Sequence, residues 1–102
     1  MIARMWRGET TRENADSYYR HLTGNVTPSL NRIRGHRGAY VLRRDLDARV
    51  EFVVITLWES MQAVREFAGN TPDVAVVEPA ARAVLADFDE FVRHYTVLKD
   101  LQ

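Results

Sequence analysis

The chain has 102 residues, 46% of them hydrophobic, and its 14 basic and 14 acidic side chains cancel. This size and composition predict one domain, residues 1–102, that buries a core of its own. The charge balance excludes the basic excess that is typical of nucleic-acid-binding proteins, and the lack of cysteine excludes disulfides and thiolate chemistry.

The N-terminal part predicts a strand followed by a helix. Ile2–Gly8 alternates its side chains between two faces as a strand does. Thr10 and Glu13 have the spacing of a capping box, which predicts a helix that begins near Thr11. The apolar residues of this helix recur with a helical period, at Ala15, Tyr18, Tyr19 and Leu22.

A short helix and two strands are predicted next. Gly24-Asn25 predicts the end of the first helix, and Thr27-Pro28 predicts a short helix after it. A second strand, Ala39–Arg44, follows turn residues. A hairpin connection then leads to a third strand at Arg49–Trp58.

The third strand is the most informative segment of the chain. Residues 51–60 read EFVVITLWES, an apolar and β-branched run without alternation. A strand built from such a run is buried on both faces. Ser60 is a good N-cap for a helix that the apolar period places at Met61–Ala68 and that Gly69-Asn70 ends.

The C-terminal third predicts short helices and a last strand. Thr71-Pro72 predicts a short helical piece, and Pro79 interrupts the pattern before a helix at Ala80–Ala86. A fourth strand, about Phe88–Leu98, is predicted because this segment is rich in Phe, Val, Tyr and Thr.

The order β-α-β-β-α-β predicts a ferredoxin-like α+β fold, with both helices on one face of a four-stranded antiparallel sheet. The other face would expose a larger apolar patch than monomers normally do, so we expect a homodimer, sheet facing sheet. The chain has no signal-peptide pattern and no apolar run of about 20 residues. We therefore expect a cytoplasmic protein that has neither a membrane nor a nucleic acid as its partner.

Four segments of the chain carry a resemblance to a known family: Ile2–Trp6, Gly38–Arg44, Phe52–Ser60 with Phe67-Ala-Gly69, and Val92–Val97. They resemble the antibiotic biosynthesis monooxygenase-type domains of the dimeric α/β-barrel superfamily, over essentially the whole chain. The strand that ends in Trp-Glu-Ser before a helix is the most specific of these segments. The family also contains isomerases, haem-degrading enzymes and members with no known reaction, so the shared fold does not determine the function.

The resemblance implies an enzyme without a metal or flavin of its own. In some relatives a reduced polycyclic phenol supplies the electrons that activate oxygen, and in others bound haem is both substrate and cofactor. Haem-degrading relatives have an asparagine on the first strand and a haem-ligating histidine on the helix after the tryptophan. Ile2–Gly8 lacks this asparagine and residues 61–86 lack this histidine, so we expect no haem degradation by that route. Quinone-forming relatives have a polar residue near the position of Val54.

The resemblance also implies a substrate pocket between sheet and helices, lined by the tryptophan that ends the third strand. Trp58 is therefore a candidate for catalysis and for substrate binding, with Thr56 beside it on the same strand face. Phe67 on the next helix and Tyr18 and Tyr19 on the first helix complete the candidate substrate-binding set. The alternatives are a core role for Trp58 and a locally satisfied hydroxyl for Thr56.

Of the three histidines, only His94 falls in a predicted strand. It could accept a phenolic proton as a general base, and a structural role is the alternative. His21 on the rim of the first helix and His36 in a turn are expected to be exposed. The histidine spacing matches no metal-binding motif, so we expect no metal site. The resemblance implies that no cofactor is bound either.

Arg4 is an unusual residue for the first strand of a small core. A buried guanidinium needs a carboxylate or an anionic ligand to offset its desolvation. We expect Arg4 to pair with Glu51 or Asp89, across the sheet or across a dimer interface.

Two functions from different classes remain open at this point. The first is a homodimeric, cofactor-independent monooxygenase-like protein that acts on a planar aromatic, polyketide-type small molecule. The second is a non-catalytic, ligand-binding or stress-responsive dimeric α/β barrel with the same pocket. The identity of the substrate does not follow from the sequence.

Overall fold

A computed structural model describes residues 1–101 of the chain. Five strands are present: β1 (Ile2–Thr11), β2 (His36–Asp45), β3 (Arg49–Trp58), β4 (Leu85–Phe88) and β5 (Arg93–Thr96). The α-helices are α1 (Ala15–His21), α2 (Thr27–Leu30), α3 (Met61–Ala68) and α4 (Pro79–Val84). Five residues of π-helix, Leu22–Val26, join α1 to α2. Among residues 1–101 no helix is long and apolar enough to span a bilayer.

The strands form one antiparallel sheet in the order β2-β3-β1, and both β4 and β5 pair with the free edge of β1. This arrangement confirms the predicted ferredoxin-like α+β fold. The prediction of one last strand, Phe88–Leu98, is wrong. Two shorter strands, β4 and β5, are present in this part of the chain. Between them, Phe91 forms a bridge with Val74 and the Val92 amide donates to the Asp73 carbonyl. That stretch therefore pairs with residues 73–75 and leaves β1.

The predicted start of the first helix is also wrong. β1 continues to Thr11, since Thr10 pairs with Val50 on β3 and with Leu85 on β4 and is fully buried. Thr10 is therefore a strand residue and not a cap. The helix begins at Ala15, and the side chain of its N-cap, Asn14, makes no capping hydrogen bond.

Gly24-Asn25 does not end this helix as predicted. The backbone stays helical through the π-helical residues into α2, and the Thr27 hydroxyl donates to the Leu22 carbonyl at 2.8 Å. Pro28 lies in the first turn of α2, where it has no amide hydrogen to donate to the helical residues before it. Thr27 therefore continues a helix, whereas the sequence predicted that it starts a new one.

The bounds of β3 and α3 agree with the prediction at every residue. The Ser60 hydroxyl accepts from the Ala63 amide at 3.2 Å, and Gly69 ends α3 with φ +85°. The helical piece predicted at Thr71-Pro72 is wrong: residues 69–78 contain no helix. Their backbone instead makes hydrogen bonds with residues 90–92.

The sheet has a covered face and an open face, and strand β3 contributes to both. On the covered face, the apolar even-numbered residues of β3 pack in two clusters beneath the helices. Phe52 and Tyr18 belong to the first cluster, and Trp58, Val64 and Leu30 belong to the second. The odd-numbered residues Val53, Ile55 and Leu57 lie on the open face, where the chain itself buries them only in part.

Candidate active site

A cavity of about 120 Å³ lies between the covered face of the sheet and the helices. Its floor comes from β1 and β3, where Arg4 is opposite Thr56 and Trp6 is opposite Val54. The other walls come from the helices, from residues 76–78 and from Val92. These wall residues are Tyr18, His21, Leu22, Val26, Ser29, Leu30, Phe67, Val76, Val77, Glu78, Ala81 and Val92.

Arg4 ties the segment after α3 to the sheet. It is buried, and its guanidinium donates to the carbonyls of Pro72 and of Val74, the latter at 3.2 Å. It also donates to His94 Nε2 at 2.9 Å. Burial lowers the pKa of Arg4, and the nearby Asp73 carboxylate opposes that shift.

The predicted partners of Arg4 are wrong. Glu51 is an odd-numbered residue of β3, so it lies on the open face, where it pairs with Arg7 and Arg44. Asp89 contributes its backbone carbonyl, which accepts from the Trp6 indole at 2.9 Å. Arg4 lies on the covered face and instead donates to the carbonyls of Pro72 and Val74.

His94 is held between two charged side chains. Because a guanidinium can only donate, His94 Nε2 accepts from Arg4, and the ring hydrogen lies on Nδ1, 3.0 Å from Asp73 Oδ1. Burial and Arg4 lower the pKa of His94, whereas Asp73 raises it. His94 does not line the cavity. Both its nitrogens have partners, which is the arrangement of a histidine that positions its neighbours.

Trp58 lies one layer behind the cavity wall and does not line the cavity itself. It is fully buried, and its indole N–H donates to Thr56 Oγ1 at 2.8 Å. Its ring stacks on Phe67 at 5.3 Å between centroids and meets the His36 ring edge-on at 5.1 Å. Thr56 and Phe67 both line the cavity, so Trp58 fixes the position of two wall residues.

The two tyrosines of α1 have different surroundings. Tyr18 is buried at the cavity wall and packs edge-on against Phe52, at 5.1 Å. Burial raises the pKa of Tyr18, which keeps its hydroxyl protonated. Tyr19 is 51% exposed and lies outside the cavity. Consecutive helical residues point in different directions, which is why only one of the pair reaches the cavity.

His21 is a wall residue that the sequence did not predict. Its side chain is only 10% exposed, although we expected it to be exposed on the helix rim. Its Nε2 is buried without a hydrogen-bond partner among residues 1–101 and lies 4.0 Å from Glu78 Oε2. The signal was the spacing of three between Tyr18 and His21, which places both on one helix face.

His36 is not exposed in a turn either. It begins β2, its ring packs on Trp58, and burial lowers its pKa. Its Nε2 is also buried without a partner among residues 1–101. Within the same residues, no group of three or more His, Asp or Glu side chains is arranged to hold a metal ion.

Comparison with known families gives one match. The model of a family described as antibiotic biosynthesis monooxygenase matches residues 1–92. That match includes β1, β3 and every wall residue of the cavity, the last of which is Val92. No curated protein matches the chain significantly.

Solved structures share the fold at low sequence identity. A candidate antibiotic biosynthesis monooxygenase from Bacillus cereus has a TM-score of 0.70 and 15% identity, over 99% of this chain and 96% of its own. SnoaB, a cofactor-independent oxygenase from Streptomyces nogalater, has a TM-score of 0.66 and 18% identity, over 98% of this chain and 96% of its own. The haem degrader MhuD from Mycobacterium tuberculosis, which has two haems bound in its active site, has a TM-score of 0.63 and 17% identity, over 100% of both chains.

Proposed function

The chain belongs to the antibiotic biosynthesis monooxygenase family, and on this premise we propose that it is a monooxygenase that oxidises a planar aromatic small molecule without a bound metal or flavin. The observation that carries this proposal is the cavity on the covered face of the sheet. Its walls are mostly apolar, with a few polar groups among them, as in most small-molecule sites. SnoaB, described as a cofactor-independent oxygenase, has the same fold.

Some cavity residues can contact the ring of a bound substrate, and others can orient it through hydrogen bonds. Phe67 and Val54 offer apolar surface to a planar ring, while Thr56 and Arg4 offer hydrogen bonds to its oxygens. Trp58 acts from behind as a positioning residue, through its stacking on Phe67 and its bond to Thr56. A substrate held in one orientation loses little further entropy on the way to the transition state.

The proposed chemistry balances without a separate reductant. A reduced ring methylene that reacts with O₂ gives a ring carbonyl and one water, so that the substrate supplies all four electrons. The protein binds the reduced ring, helps to withdraw its proton, and excludes bulk water. Burial of the reacting atoms strengthens every electrostatic contact made to the resulting anion.

An oxygen electrode tests this proposal. Purified protein should consume oxygen above the uncatalysed rate with at least one reduced phenol, from single-ring phenols to the tricyclic anthrone in its enol form, and should give one quinone for each O₂ consumed. Uptake that equals the rate without protein, for anthrone and for a panel of smaller phenols, would overturn it.

We also propose that the protein is a homodimer and that a second copy covers the open face of the sheet. This face carries apolar side chains from three strands, which the chain alone leaves partly exposed: Met5, Tyr40, Leu42, Val53, Ile55 and Leu57. Tyr40 is 60% exposed. Two such faces can pack against each other around a two-fold axis, and a stable interface of this kind buries more than ~2,000 Å² in total.

The second candidate function is a non-catalytic, ligand-binding or stress-responsive dimeric barrel. The observation that favours it is His94, because both its nitrogens are engaged and neither is free to accept a proton. This candidate predicts that aromatic compounds bind to the cavity while no oxygen is consumed.

A further inference from the structure

The wall of the cavity contains a buried donor without an acceptor, on His21. The Asn25 amide nitrogen lies 3.3 Å from His21 Nδ1, so Nδ1 accepts and the neutral ring carries its hydrogen on Nε2. Nε2 is buried, and the carboxylate of Glu78, at 4.0 Å, is too far for a hydrogen bond. A buried donor left unpaired costs roughly 1–3 kcal/mol, which a ligand oxygen at this point would offset.

Other donors line the same cavity. The Arg4 guanidinium has five N–H groups. Within residues 1–101 it makes three hydrogen bonds, so N–H groups remain that can donate to a ligand. Thr56 accepts from Trp58, and its own hydroxyl hydrogen has no acceptor within that part of the chain. The single carboxylate among the wall residues at positions 1–101 is that of Glu78, which is close to His21.

This combination of donors and one carboxylate selects among ligand oxygens. A phenolic hydroxyl can accept from the donors through its lone pairs and give its own hydrogen to Glu78. An aromatic carboxylate would bring a second negative charge beside Glu78. A plain hydrocarbon ring would leave the buried donor of His21 unpaired.

The volume of the cavity limits the number of rings. At about 120 Å³, it is below the ~300–1,000 Å³ of pockets for drug-sized ligands. It is comparable with an apolar cavity of ~150 Å³ that holds one benzene molecule. One aromatic ring therefore fills this volume, whereas three fused rings would extend beyond it through the open side of the cavity.

We propose that this cavity binds a single-ring phenol, with the phenolic oxygen between His21 and Glu78. The proposal rests on the proposed function, since it concerns the same cavity, and it narrows the substrate class from planar aromatic molecules to one-ring phenols. His21 is then a substrate-binding residue that the resemblance to the family did not supply.

Fluorine NMR titration of the purified protein tests the proposal with three probes of equal ring size. 4-Fluorophenol should bind at least ten-fold more tightly than 4-fluorobenzoate or 4-fluorotoluene. A tricyclic phenol, 2-hydroxyanthracene, followed by its own fluorescence, should bind more weakly than 4-fluorophenol. Equal affinities for the three fluorinated probes, or tighter binding of the tricyclic phenol, would overturn the proposal.

Matched variants locate the contact. His21→Phe keeps a ring of similar size but removes the donor, so the affinity for 4-fluorophenol should fall about ten-fold, while 4-fluorotoluene is unaffected. His36→Phe is the control, because His36 also has a buried, unpartnered Nε2 but does not line the cavity; its affinity should stay within two-fold. His21→Gln, which restores an N–H donor, should recover most of the binding. A loss in His36→Phe equal to that in His21→Phe would place the contact elsewhere.

The titration and the oxygen assay fail independently of each other. Oxygen uptake with anthrone, but no binding of 4-fluorophenol, would overturn the one-ring assignment and leave the proposed function intact. Selective phenol binding without oxygen uptake by any phenol would support the assignment and overturn the oxygenase.

Discussion

The two faces of strand β3 are built from similar apolar residues, yet their surroundings differ. On the covered face, Phe52 and Trp58 are fully buried beneath the helices, and the cavity lies between this face of the sheet and the helices. On the open face, Val53 and Ile55 are only partly buried by the chain itself. A strand that is apolar on both sides, such as β3, can therefore support ligand binding on one face and, as we propose, association of two copies on the other.

The charged residues differ between the faces in the same way. Arg4 on the covered face is buried, and it donates to the carbonyls of Pro72 and Val74 and to His94. Arg7 on the open face forms ion pairs with Glu9 and Glu51, and 34% of its side chain is exposed. Burial on one side and partial hydration on the other set how much each arginine contributes to stability.

The largest expected effect is that of a charge on the open face. Val53→Asp would bury an unpaired carboxylate in the proposed interface, so the dimer should dissociate at micromolar concentration and folding should weaken with it. Ser17→Asp, on the exposed side of α1, is the control that adds the same charge elsewhere. Sedimentation equilibrium measures both variants. A wild-type protein that sediments as a monomer, or a Val53→Asp protein that stays dimeric, would contradict the proposed interface.

Removal of one arginine from each face comes next in size. Arg4→Met leaves the Pro72 and Val74 carbonyls without their donor, and should lower the free energy of unfolding by about 2–4 kcal/mol. Arg7→Met removes ion pairs that the single chain leaves partly exposed, but Arg44 remains as a partner of Glu51, so the variant should cost less than Arg4→Met. Denaturant unfolding of the two variants measures the difference, and equal costs would contradict the contrast between the faces.

Amide hydrogen exchange shows which part of the structure Arg4→Met destabilises. The Ala75 and Val92 amides bond across residues 73–75 and 90–92, so Arg4→Met should speed their exchange more than that of the Val54 amide at the centre of β3.

The pH dependence should come from the covered face, where His36 and His94 lie. Burial lowers the pKa of both, and Arg4 lowers that of His94 further, while Asp73 opposes the shift. A lowered folded pKa means that the unfolded chain binds more protons. The stability from these two residues is therefore complete above the unfolded pKa of about 6.5 and is lost as the pH falls through the folded pKa.

Unfolding measured from pH 8 to pH 5 checks this expectation. The free energy of unfolding of the wild type should decline below about pH 6.5. That of His94→Gln should decline less steeply, because glutamine does not titrate. Identical slopes for wild type and His94→Gln would assign the pH dependence to other groups.

The smallest expected effect is with haemin. Residues 61–86 contain no histidine, so titration with haemin should give no Soret band of the histidine-ligated type, and ascorbate should release no iron. A one-to-one complex that turns over would show that another residue supplies the ligand.

The parts of the fold that depend on local signals could be predicted from sequence. β3 and α3 were predicted with their exact bounds because the apolar run, Ser60 and Gly69 all lie within or next to those elements. The segment 69–78 could not be predicted, since its hydrogen bonds go to residues 90–92, which are distant in sequence. The same pairing divides the predicted last strand into β4 and β5.

The candidate site was predicted in part for a similar reason. Thr56, Phe67 and Tyr18 line the cavity, because strand and helix periods assign a face to each of them. Trp58 lies behind that wall and Tyr19 outside it. His21 was missed because its burial depends on Glu78 and the segment around it, whose path the sequence alone does not reveal.

The most direct test of the site is the oxygen uptake of Trp58→Phe relative to wild type, at equal concentrations of folded protein. Phenylalanine keeps most of the apolar volume, so the fold should survive with a modest loss of stability. Without the indole N–H, Thr56 loses its partner and Phe67 loses part of its stacking surface. We predict that uptake with the best phenolic substrate falls at least ten-fold while the melting temperature drops by only a few degrees. Equal turnover in the two proteins would contradict the placement of the chemistry on the covered face of the sheet.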